Sequence, residues 1–219
     1  GHHVRVATPE DPASARLGES FWAFWPRTVL GSLRSAWRME THRFTVRRRS
    51  PWTLRNDVLN AWLMTAVLFA ALVIAFGPGV LPFLVAQAVL GFSFLEVVNY
   101  LEHYGLLRER TAAGRYAKVD ERHSWNSNRL TTNIFLYQLQ RHSDHHANPT
   151  RRYQALRHVD EAPQLPTGYA GMIVLAWFPP LWRRVMDPRL IEHYDGDVTR
   201  ANIHPRKLGR ILEQYGRAA

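Results

Sequence analysis

The chain of 219 residues contains no cysteine. That absence excludes disulfides, thiolate zinc sites and iron–sulfur or other iron–thiolate centres built from this chain. Any electrons its chemistry needs must come from another protein. Acidic residues are also scarce, with 18 Asp and Glu against 28 Lys and Arg, a formal net charge of +10. Such a balance suits nucleic acid, an anionic membrane surface or an acidic protein partner. No RNA- or DNA-binding signature accompanies the arginines, so no nucleic-acid partner is expected. Repeats and low-complexity segments are lacking, as are an initiator Met and a signal peptide. The opening Gly1-His2-His3 reads either as a tag remnant or as part of a motif.

What is present is hidden by averages. A mean hydropathy of −0.28 looks soluble, but it mixes polar ends with a middle that is almost pure hydrocarbon. From Val58 to Phe76 only Asn60 and Thr65 interrupt the apolar run. As a helix that run spans about 30 Å, the thickness of a bilayer's hydrocarbon core. Gly77-Pro78-Gly79 predicts a tight turn, and a second apolar run follows from Val80 to Val98. The pair predicts a transmembrane hairpin with spans at about 57–76 and 80–100. Arg43, Arg47, Arg48, Arg49 and Arg55 precede it, and Arg108, Arg110, Arg115, Lys118 and Arg122 follow it, while the turn carries no charge. The positive-inside rule then puts both flanks on the cytoplasmic side.

Residues 4–18 read as a loop leading into a helix. From Glu19 to about Arg48, aromatics such as Trp22, Trp25 and Trp37 mix with Arg27, Arg34 and Arg38. That pattern suits a helix at headgroup level, kinked or restarted at Pro26. Residues 106–130 read as a polar connection, and Thr131 to His146 as one helix ended by Asn148-Pro149. A third apolar stretch, Tyr169 to Trp182, is too short to span and reads as interfacial or buried. The tail is expected to be helical near Lys207–Tyr215. The fold expected is therefore an all-α integral membrane protein, a single domain over residues 1–219. Its transmembrane hairpin is joined by cytoplasmic and interfacial helices that carry a histidine-rich metal site.

The histidines define that site. His142, His145 and His146 share one helix face, within an arc of roughly 100°. Each neutral imidazole offers a lone pair to a transition metal, and with no thiolate present the donor set suits iron or zinc. A solvated or partner-facing histidine face is the plainer alternative. His103 closes the second apolar run, with Glu96, Asn99 and Glu102 on the preceding turns. Ionisable groups at that depth either pair, bind something or snorkel to the headgroups. Tyr100 and Tyr104 read as interfacial-belt aromatics. Asp144 reads either as an acceptor orienting an imidazole N–H or as a solvated side chain. His42, His123, His158, His193 and His204 are isolated and read as surface or structural. His123, beside Trp125 and Asn126, is the candidate exception.

Two motifs carry a resemblance. Asn99-Tyr100-Leu101-Glu102-His103-Tyr104-Gly105 and Leu139-Gln140-Arg141-His142-Ser143-Asp144-His145-His146-Ala147 resemble the membrane-bound alkane 1-monooxygenase family. His123-Ser124-Trp125-Asn126-Ser127-Asn128 and Pro149-Thr150-Arg151-Arg152-Tyr153-Gln154-Ala155-Leu156-Arg157-His158 resemble it too, and the likeness covers essentially the whole chain. The resemblance implies a centre of two iron ions held by histidines, with His2, His3, His103, His142, His145 and His146 matching six of the family's nine ligands. It implies Asn99, Glu102, Asp144, His123 and Asn126 as supporting candidates. The first histidine box and the leading histidine of the second are not in the sequence, so the chain looks like the carboxy-terminal part of such an enzyme. The implied reaction is hydroxylation of the terminal carbon of medium-chain n-alkanes with O2 and electrons from rubredoxin. The implied setting is the bacterial inner membrane, multi-pass, with lipid and a lipophilic alkane as partners and the metal on the cytoplasmic side. A histidine-box desaturase or hydroxylase acting on acyl or aromatic-methyl substrates, and a non-redox metal-binding membrane protein, are the alternatives.

Overall fold

The computed structural model describes residues 1–216. Among them the regular structure is helical, with only isolated β-bridges. After a single turn, α1 (His2–Arg5), a long loop leads to α2 (Phe21–Val46), which continues through Pro26. The proline removes the bond its N–H would have made to the Trp22 carbonyl, but the helix does not restart there. α3 (Asp57–Phe76) starts where the Asn56 side chain accepts the backbone N–H groups of Val58 and Leu59. It ends at Gly77, whose φ of +80° favours glycine and whose N–H bonds the Val73 carbonyl at 2.8 Å. A 3₁₀ turn, Pro78–Val80, then leads into α4 (Leu81–His103), which ends three residues beyond the expected span.

The chain forms two compact units. The first comprises Gly1 and residues 29–95. It holds α3 without a single buried side chain; Trp62, Met64, Val67, Leu68, Ile74 and Phe76 are all exposed. Apolar surface of that extent has no place in water, whereas hydrocarbon solvates it without cost. α3 and the segment Pro78–His103 are both long and apolar enough to cross a membrane.

The second unit comprises residues 2–28 and 96–219. Its core is aromatic: Tyr100, Tyr104 and Trp182 are fully buried, with ring centroids 4.9–5.4 Å apart. The two tyrosines therefore do not form an interfacial belt. Tyr100 donates to the Glu19 carbonyl and Tyr104 to Asp187, so the hydroxyls that would otherwise require water are satisfied inside.

The loop before α2 is stitched into this unit by its backbone. Gly105 donates to Ala15, Arg108 to Ala7, Leu17 to Asn202, and Asn202 to Gly105, all at 2.7–2.9 Å. That stitching brings the amino-terminal histidines to the end of α4.

The expected helix over 131–146 is instead two short ones, α5 (Leu130–Phe135) and α6 (His142–Ala147). Tyr137 and Gln138 lie at φ +50° and +60°, which no helix tolerates. Gln140 bonds the Arg129 carbonyl and Thr132, and Arg141 bonds Asn128, Gln138 and the Leu156 carbonyl. These side-chain bonds replace the helical ladder across the break. The third apolar stretch also divides, into α7 (Tyr169–Ala176) and α8 (Pro179–His193). Pro179 opens the second, where a missing N–H costs nothing. Tyr169, Met172, Ala176 and Trp182 are fully buried, so one face of this stretch is core, while Val174, Trp177, Phe178 and Leu181 are exposed. α9 (Leu208–Tyr215) closes the described chain where the tail was expected to be helical.

Candidate metal centre

Four histidines from three segments converge. His2 comes from α1, His103 is the last residue of α4, and His142 and His146 lie one turn apart on α6. Each offers one nitrogen, and the four nitrogens all lie within 4.8 Å of one another. Ring centroids are 5.0 Å apart for His2 and His103, 5.1 Å for His103 and His142, and 4.5 Å for His142 and His146. His103, His142 and His146 are buried and His2 is partly so. His3 and His145 stand beside this group, 4.8 Å apart, with His3 also 4.8 Å from His146.

The donor set fits a metal ion. Nε2 of His2, Nε2 of His103, Nδ1 of His142 and Nδ1 of His146 are buried without a hydrogen-bond partner. Nε2 of His142 stands 2.8 Å from Nε2 of His146 and 3.1 Å from the Glu102 carboxylate. Buried polar atoms left in this way are costly unless something binds them. Burial first, and then the other histidines of the cluster, His103 and His2 among them, hold His142 and His146 below the ordinary histidine range. His3 and His145 are lowered for the same first reason. Neutral imidazoles are the ligand-competent form.

Two of the rings are oriented from behind. His2 donates from Nδ1 to Asp11 at 2.8 Å, and His103 turns Nδ1 to the His123 carbonyl at 3.4 Å. In both cases Nε2 is left as the lone-pair nitrogen. Burial would raise the Asp11 carboxyl, but the bonds from His2 and Ser14 hold it below the usual carboxylate range.

The supporting candidates divide. Glu102 is buried between His142 and the Tyr169 hydroxyl, which donates to Oε1 at 2.7 Å. Asn126 accepts the Ser143 N–H and so fixes the start of α6. His123 acts through its carbonyl, while its imidazole caps the turn at Asp120. Asn99 bonds Glu96, which Thr28 also bonds, rather than an imidazole. Asp144 is buried and accepts from Arg151, Asn148 and the Arg157 N–H, which ties it to the loop after α6. Asp11 and Tyr169 carry no motif spacing and were not legible as site residues.

Comparison with known proteins agrees with this geometry, for residues 1–176 match the fatty acid desaturase family. The chain belongs to that family. Within it, the chain is 54% identical over 216 residues to an alkane 1-monooxygenase of Acinetobacter baylyi, covering 99% of this chain and 53% of that protein. It is 48% identical to alkane 1-monooxygenase 1 of Alcanivorax borkumensis over the same share of this chain and 54% of that one. A more distant relative is the xylene/toluene monooxygenase hydroxylase component of Pseudomonas putida, 26% identical over 83% of this chain and 47% of that protein. The chain spans about half the length of the curated relatives it matches.

Proposed function

We propose that residues 1–219 form the carboxy-terminal part of a membrane-bound monooxygenase that hydroxylates the terminal carbon of medium-chain n-alkanes. The observation that carries this is the buried four-histidine cluster, in a chain about half identical to alkane 1-monooxygenases.

The cofactor in this reading is a pair of iron ions, one at His2, His103, His142 and His146, the second beside it at His3 and His145. Bound iron supplies the redox chemistry that activates dioxygen, which zinc does not. The chain's own residues do the rest. Asp11 and the His123 carbonyl hold imidazole N–H groups so that Nε2 of each ring is presented. Tyr169 holds the Glu102 carboxylate against His142. Burial of His103, His142 and His146 keeps that part of the site away from water. Electrons come from rubredoxin in this reading. The arginines flanking the hairpin support an inner-membrane protein with the metal on the cytoplasmic side.

The test is product analysis in membranes containing the enzyme. Octane is expected to yield 1-octanol with the native sequence and none with His142→Ala. Wild-type turnover by that variant contradicts the proposal. Similarity to the xylene/toluene relative supports a second reading, oxidation of aromatic methyl groups, which the same assay with toluene separates.

A further inference from the structure

Where α2 ends, the chain accepts backbone strain and keeps a charge. The Arg48 N–H bonds the Thr45 carbonyl and the Arg49 N–H the Phe44 carbonyl, both at 2.9 Å. This paired closure needs a left-handed residue just past the helix, a place that usually falls to glycine. Here it is Arg48, at φ +52°. A strained non-glycine residue on an exposed turn points to a use for its side chain.

That side chain has neighbours of its own kind. Arg47, Arg48 and Arg49 are all exposed, as is Arg55. Arg55 belongs to the same corner, because its carbonyl accepts from Arg43 at 2.7 Å. The acidic groups there are already taken: Arg43 pairs with Glu40 at 2.7 Å and with Asp57 at 3.1 Å. Among the described residues, none of the other four arginines has a carboxylate partner. Between and beside them stand exposed Val46, Trp52 and Leu54, with the Trp52 ring 5.1 Å from Trp37. α3 begins shortly afterwards at Asp57 and buries no side chain. Arginines interleaved with tryptophan and aliphatic side chains, at the start of a membrane-length helix, match a headgroup layer rather than an acidic protein surface. A groove of about 420 Å³ in the same unit, lined by Leu33, Ala36, Met39, Val58, Ala61 and Trp62, offers an acyl chain apolar contacts.

We propose that Arg47, Arg48, Arg49 and Arg55 bind the phosphate of an anionic phospholipid whose acyl chains lie along the groove between α2 and α3. Guanidinium groups suit this ligand, since each can present two N–H donors to the phosphate oxygens at once. The bound lipid anchors the α2–α3 corner to the adjoining leaflet. No metal takes part, so the site stands or falls separately from the histidine cluster.

The experiment measures lipid retained by the protein after extraction from nanodiscs of mixed phosphatidylcholine and phosphatidylglycerol, by mass spectrometry. The native protein is expected to retain phosphatidylglycerol preferentially. Arg47→Gln with Arg49→Gln is expected to weaken that preference about twentyfold, at about fivefold per charge. Arg48→Gly is expected to weaken it about fivefold, with a thermal unfolding midpoint no lower than native because glycine relieves the strained position. Arg115→Gln with Arg184→Gln, two exposed arginines of the second unit, is expected to leave it unchanged. Equal retention of the two lipids by the native protein overturns the proposal, as does equal loss in the second-unit variant, which would mark a bulk charge effect. Displacement of phosphatidylglycerol by inorganic phosphate at constant ionic strength also overturns it, and assigns the arginines to the free ion. Displacement by poly-glutamate overturns it in favour of an acidic protein.

Discussion

His2 and His103 are each tethered by Nδ1, to a carboxylate and to a carbonyl, and each keeps Nε2 free. This is the device by which a protein fixes tautomer and ring angle before metal arrives, and its loss typically costs 10–100-fold in affinity. Asp11→Asn is therefore expected to weaken metal binding by about that factor while the fold survives, as measured by competition with a chelator. Unchanged affinity contradicts the role. At this scale the sequence was informative where chemistry comes with spacing. His142 and His146 lie one turn apart and declare themselves, and His103 stands out by ending an apolar run. Asp11 does not, because its partnership with His2 depends on how a proline-containing loop folds back. Tyr169 is hidden likewise, as one more aromatic at the head of an apolar stretch.

Elements follow the same division. α3 was legible to the residue, since composition alone decides what lipid accepts. The helix expected over 131–146 was not, because its break at Tyr137 and Gln138 is held by the side chains of Gln140 and Arg141, which reach the Arg129 carbonyl and the Gln138 side chain. The histidine spacing survives because α6 begins at His142 itself. α4 exits through Gly105 at φ +72°, where an added Cβ would stand 2.1 Å from Leu190 Cδ2. Gly105→Ala thus combines a left-handed backbone with a clash in a close-packed core. The expected loss is roughly 2–5 kcal/mol, seen as a lower midpoint in thermal unfolding. A midpoint equal to wild type contradicts this account of the α4 exit.

For the molecule as a whole, one buried carboxyl outside the metal centre, Asp187, adds its own dependence of stability on pH. Burial, only partly offset by bonds from Tyr104 and Tyr215, pushes Asp187 up to about 6 from 3.8. Below pH 4 the group is protonated folded or unfolded and costs nothing. As pH rises from 4 to 6 the folded state resists ionisation that the unfolded chain accepts freely, so stability is lost, by up to roughly 3 kcal/mol. Asp187→Asn is expected to gain on the native protein steadily between pH 4 and 6 and to hold that advantage above 7, by chemical unfolding in detergent. A difference independent of pH contradicts the assignment. The central claim, that these histidines form a metal site, is tested most directly by metal content per chain. The protein would be extracted from membranes and purified without a polyhistidine tag, beside His142→Ala and His146→Ala. Iron at two per chain, lost in both variants, is the predicted result; a protein without iron, or variants with undiminished metal, would contradict it.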